Sequence, residues 1–144
     1  MSSIKFFHPI EVRYGDLDPQ GHLNNAKYLT YFEQGRVEYL IALELFHRGL
    51  SFLEIGLIIA DIHIVFHKPV LWGTPLKVGA KIKNMGHKSL VVEQNLVHAE
   101  TGEVFASGEV VMVTYDYHTE NTIPIPDEWR RIIAKFENVD DTVG

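Results

Sequence analysis

Between Tyr14 and Tyr28 the chain reads YGDLDPQGHLNNAKY, which crowds two aspartates, a histidine, two asparagines and two glycines into one short stretch. Asp16, Asp18, Pro19 and Gly21 all favour local turns over helix or strand. Asn24 or Asn25 then offers a side-chain oxygen to the orphan amides of a helix that begins there. Such a helix end presents unpaired N–H groups and the positive pole of the helix dipole to the loop before it. A carboxylate held at that point could attack a carbonyl, or activate water against it, while those amides take up the charge developing on oxygen.

Each residue also has a plainer reading. Asp18 could cap the turn through its own backbone, and Asp16 is expected to hold the loop by hydrogen bonds. Histidine is the residue type whose unperturbed pKa sits near neutrality, so His22 could move a proton or only fix the loop. Tyr28, one turn into the helix, reads as packing or as a substrate contact. Glu33, about two turns in, is a reserve carboxylate, with a solvated helix residue as its alternative.

The elements that must position these residues follow from periodicity. Phe6 to Tyr14 alternates loosely and predicts a strand. Leu29, Phe32, Arg36, Tyr39, Leu40, Leu43 and Phe46 recur at helical spacing and predict a helix to about Phe46. Gly35 inside it costs roughly 1 kcal/mol relative to alanine unless a sheet must approach closely there. After a connection over 50–56 the period becomes two. Ile58, Ala60, Ile62, Ile64 and Phe66 are assigned to one face, with Ile59, Asp61, His63, Val65 and His67 on the other.

Strands at 76–85, 89–98 and 104–115 follow, separated by short turns. Lys77, Lys81 and Lys83 are assigned to the solvated face of the first of these. A terminal helix spans 127–136, with a frayed tail over 137–144. Short turns between the later strands imply an antiparallel sheet, and one long helix packed on it gives an α+β fold. His63 and His67 have the spacing of a metal pair on a helix, but on a strand they stand roughly 13 Å apart, so no metal site is assigned.

The whole sequence bounds the function. Its 144 residues predict one domain, and 46% of them are apolar. A net charge of −6 disfavours nucleic acid as a partner. The absence of cysteine removes disulfides and thiol nucleophiles. No run approaches the ~20 apolar residues of a membrane span, and no secretory signal is read at the N-terminus, so a cytoplasmic location is expected.

The element order and the motif from Tyr14 through Asp18, Gly21, His22 and Asn25 to Tyr28 resemble the hot-dog-fold acyl thioesterases. The similarity is greatest to the 4-hydroxybenzoyl-CoA thioesterase type and covers about Ile10 to Tyr115. It implies a long central helix wrapped by a five-stranded antiparallel sheet, and two subunits joined edge to edge. Active sites are then expected at the subunit interface of a homodimer, or of a homotetramer built as a dimer of dimers.

The resemblance makes Asp18 the catalytic carboxylate and the backbone N–H of Asn25 the donor to the thioester oxygen. His22 would assist or order the loop. The turn carrying His87, Lys88 and Ser89 would meet the phosphates of coenzyme A. The run from Gly21 to Asn25 is also similar to the His-x-Asn-Asn-x-x-Tyr signature of fatty acyl-ACP thioesterases, to which Gln20 and Glu54 are loose matches. No cofactor is implied, because a thioester is already activated and water is the second substrate. The expected function is acyl-CoA hydrolysis. An acyl-ACP carrier, a hot-dog hydratase and a non-catalytic acyl-binding module are the alternatives.

Overall fold

In the computed structural model, residues 3–48 and 56–139 are described. The connection expected over 50–56 and the loose match at Glu54 lie outside them, apart from Gly56 itself, as does the tail over 140–144. The elements are β1 (Phe6–Ile10), α1 (Asn25–Ala42), β2 (Gly56–Phe66), β3 (Leu76–Met85), β4 (Ser89–His98), β5 (Val104–Asp116), the two-residue β6 (Asn121–Thr122) and α2 (Asp127–Glu137). The long strands form one antiparallel sheet in the order β1-β3-β4-β5-β2, and β6 pairs with the end of β5. The expected α+β architecture of one long helix on a five-stranded sheet is present.

Alternation in β3 and β4 builds the floor under α1. Leu76, Val78, Ala80 and Ile82 are buried with Leu90, Val92 and Leu96. Helix α1 lies over β1, β3 and β4. A Cβ at Gly35 would stand 2.8 Å from both methyls of Val78, so glycine there lets the helix backbone seat on the sheet. Beside that contact, buried Arg36 donates to Gln94 Oε1 at 3.1 Å, and Gln94 Nε2 donates to the Phe32 carbonyl at 2.9 Å. Helix α2 closes the far end, where Trp129 and Ile133 join Met85, Leu90 and Met112 in one apolar cluster.

Several expectations are corrected. Strand β1 ends at Ile10 rather than Tyr14, because Tyr14–Asp16 turns into a 3-10 helix. Helix α1 ends at Ala42 rather than near Phe46: Glu44 adopts φ 61° and the Leu45 amide turns back to the Leu40 carbonyl. Leu29 faces solvent, 46% exposed. Glu137, placed in the frayed tail from sequence, is the buried last residue of α2 and accepts from the Tyr39 hydroxyl.

In β2 the register against β5 shifts between Ile59 and Asp61. The extra residue, Ala60, reverses the alternation, as a bulge must. Leu57 and Ile59 therefore share the face of Ile62, Ile64 and Phe66, and Ile58 does not. On β3, Lys81 is buried rather than solvated, only 6% exposed. It lies in a depression shared with Ser3, Ile4 and Val139, so the chain termini cover what the strand period alone leaves open. Among the described residues no helix is long and apolar enough to cross a membrane.

Candidate active site

The loop between β1 and α1 is held from two sides. Its two arms meet at a bridge between Leu17 and Leu23, and a second bridge joins His22 to Leu71. The Leu23 amide donates to the Val70 carbonyl at 2.8 Å, which ties the loop to the segment leaving β2. Gly21 sits at φ 82°, a conformation that a side chain disfavours, and its amide closes the turn on the Asp18 carbonyl at 2.9 Å.

The two aspartates of this loop have different surroundings. Asp16 is 1% exposed. Its carboxylate accepts from the Tyr31 hydroxyl at 2.6 Å, from the Arg13 amide at 3.2 Å and from the Arg13 guanidinium at 3.3 and 3.4 Å. Lys27 stands 3.9 Å away, and the Asp16 carbonyl accepts from the Asn24 amide at 2.9 Å. Burial by itself would raise the Asp16 carboxyl, yet the hydrogen bonds from Tyr31 and Arg13 outweigh it and hold the group below its ordinary 3.8. Burial and the bond to Asp16 push the Tyr31 hydroxyl far upward.

Asp18 is half-buried. Its Oδ1 accepts from the Gln20 amide at 2.9 Å and from the His22 amide at 3.2 Å. Among the described residues nothing donates to Oδ2. Asp18 thus caps its own turn with one oxygen and has the other uncommitted.

Asn24, not Asn25, is the N-cap of α1, its Oδ1 accepting from the Ala26 amide at 3.0 Å. The Lys27 amide donates to the Asn24 carbonyl at 2.8 Å. Of the first three helix amides, only that of Asn25 has no acceptor among the described residues. Asp18, Gln20, His22, Leu23, Asn25 and Tyr28 line one open cavity of about 290 Å³ together with Phe66, His67, Lys68 and Pro69. The residues that carry an uncommitted carboxylate oxygen, an imidazole and an unspent helix amide therefore border the same space.

Tyr28 is 2% exposed and meets Phe66 edge to face, with ring centroids 4.8 Å apart. Burial raises its hydroxyl above the ordinary value, with nearby Asp18 adding to the effect and the Val70 backbone opposing it.

The other expected site residues lie elsewhere in this protomer. Glu33 is exposed and does not line the cavity. His87, Lys88 and Ser89 occupy the β3–β4 turn at the far end of a ten-residue strand, roughly 30 Å of chain from the loop. There the Ile125 amide donates to the His87 carbonyl and Lys88 Nζ to Thr122 Oγ1, both at 3.0 Å.

His67 and Lys68 border the cavity without having been assigned to it from sequence. His67 Nε2 lies 2.7 Å from Ser107 Oγ, and Lys68 pairs with Glu103 at 2.8 Å. Their only signal was adjacency to Pro69 at the end of a strand, which does not report what that end meets.

A helix seated on a curled antiparallel sheet, with an acidic loop at the helix start, defines the hot-dog thioesterase class. The chain belongs to the thioesterase-like superfamily, whose model matches residues 12–133. It is 26% identical over 127 residues to the long-chain acyl-CoA thioesterase FadM of Escherichia coli K12, covering 88% of this chain and 96% of that protein. It is 25% identical over 137 residues to the acyl-CoA thioester hydrolase YbgC of Escherichia coli O6:H1, covering 95% and 99%. Among solved structures, a Thermus thermophilus thioesterase complexed with coenzyme A and zinc superposes with a TM-score of 0.81 at 28% identity, covering 97% of this chain and all of that one.

Proposed function

We propose that this chain hydrolyses acyl-CoA thioesters to a free acid and coenzyme A, with Asp18 as the reacting carboxylate and the Asn25 amide as oxyanion donor. The observation that carries the reading is the cavity lined by both Asp18, with one carboxylate oxygen uncommitted, and Asn25, whose amide has no acceptor among the described residues. A thioester carbonyl placed between them meets a nucleophile or base on one side and a preorganised donor on the other. Asp18 either attacks the carbonyl carbon to give an acyl-aspartate anhydride, which water then cleaves to the free acid and the carboxylate, or takes a proton from an attacking water. In both cases the C–S bond breaks and coenzyme A leaves as the thiolate. His22, whose amide anchors Asp18, orders the loop or moves a proton. The names of FadM and YbgC support coenzyme A as the carrier.

The working form is proposed to be a dimer through β2. This strand is a sheet edge, and Ile59, Val65 and Phe66 on it are 44, 42 and 49% exposed. Long apolar edges need cover, and twofold pairing supplies it. Ser89 stands level with Ile58, since both pair with Val113, while Phe66 lies at the cavity end. Antiparallel pairing of β2 with a second copy would therefore carry that copy's 86–89 turn towards the Asp18 cavity, where His87 and Lys88 could meet phosphate.

The test is turnover of a panel of acyl-CoA and acyl-ACP thioesters by the parent and by Asp18→Ala. The expected result is hydrolysis of acyl-CoA by the parent alone, and full rate in a folded Asp18→Ala protein overturns the mechanism. Light scattering across a concentration series checks the dimer, which a concentration-independent monomer would contradict.

A further inference from the structure

We infer that the Tyr28 hydroxyl is a second hydrogen-bond donor to the oxyanion, acting beside the Asn25 amide; this role rests on the thioesterase reading above. Tyr28 follows Asn25 by three residues on α1, so the two share one side of the helix, and both line the cavity that holds Asp18. The ring is fixed by its buried position and by the edge-to-face contact with Phe66.

The Val70 backbone favours the charged form of the Tyr28 phenol, as a nearby N–H does, although burial outweighs it. The Val70 carbonyl accepts from the Leu23 amide, so the same buried residue is tied to the catalytic loop. Among the described residues no acceptor takes the Tyr28 hydroxyl proton, and a phenol has only one proton to donate. Burial keeps the group neutral, which suits a donor that never releases its proton during the reaction. When a nucleophile adds to the thioester carbon, the carbonyl oxygen becomes an anion and both donors shorten onto it. When the C–S bond breaks, the carbonyl re-forms and the phenol still holds its hydrogen. A donor aimed at developing charge contributes to kcat rather than to substrate binding.

The experiment compares the parent, Tyr28→Phe and Asp18→Asn on an acyl-CoA substrate and on its dithioester analogue, whose C=S sulfur is a weak acceptor. For Tyr28→Phe, kcat on the thioester is expected to fall about 10²-fold, the scale for one oxyanion donor, with KM nearly unchanged. The loss should shrink several-fold on the dithioester, which a merely structural role would not produce. A folded Tyr28→Phe protein that keeps kcat within twofold, loses only KM, or loses equally on both substrates overturns the assignment.

Should Phe at this position unfold the protein, 3-fluorotyrosine at position 28 keeps the ring and the hydroxyl while making the phenol more acidic. A new alkaline limb in the kcat profile is then expected, and an unchanged profile overturns the role. Loss of activity in Asp18→Asn with normal activity in Tyr28→Phe removes only this inference. Normal activity in Asp18→Asn removes the underlying reading instead.

Discussion

Asp16 and Asp18 are two residues apart in one loop, and the protein uses them in opposite ways. Asp16 is buried, both its oxygens are engaged, and its partners come from the strand exit and the helix. Asp18 is half-buried, spends one oxygen on its own turn and borders a cavity with the other uncommitted. A saturated carboxylate is a fastener, since every lone pair it could offer a substrate is already taken. An undersaturated one beside a cavity can do chemistry. Burial alone would have chosen wrongly between them, because the more buried aspartate is the less available.

The contrast can be broken most sharply by removing each charge in turn. Asp18→Asn is expected to lower kcat/KM by about 10²–10⁴-fold, the range for a positioned acid or base, with little change in melting temperature. Steady-state turnover and a thermal melt on one preparation measure both. Asp16→Asn should reverse the pattern. It removes a charged acceptor from a buried network and should destabilise the fold by about 2 kcal/mol in urea titration, while the folded fraction keeps measurable activity.

Tyr31→Phe sharpens the same side with a smaller effect. Losing one hydrogen bond to a charged group is expected to cost about 1.5 kcal/mol, read as a shift in urea midpoint at unchanged slope. The smallest effect is in acid. The folded Asp16 carboxyl titrates below its ordinary 3.8, so its contribution is fully present above that value and is lost as pH falls through the lower, folded one. The parent should therefore lose stability more steeply than Asp16→Asn at pH values below about 4.

The local parts of this site were legible in the residue order. Turn formers at Asp18, Pro19 and Gly21, an asparagine cap and a helical stripe through Phe32, Tyr39 and Leu40 act over a few residues, so composition reports them directly. Gly35 was legible for a related reason: a costly residue in mid-helix signals a close neighbour, here Val78. Ala60 was not. A bulge is set by which residue of β5 each residue of β2 pairs with, and strict alternation cannot announce its own interruption. Lys81 was misread because a period of two assigns a face but does not say whether another segment crosses it.

The chain's own order of residues thus determined the fold class, the acidic turn, the helix cap and Asp18 as a candidate carboxylate, all through interactions between near neighbours. Tertiary structure decided the rest. It saturated Asp16 through Tyr31, brought Phe66 to Pro69 into the cavity that the loop lines, left the Asn25 amide without an acceptor among the described residues and put His87 and Lys88 at the other end of the sheet. Those outcomes depend on contacts between residues tens of positions apart, whose geometry exists only once the helix has settled on the sheet.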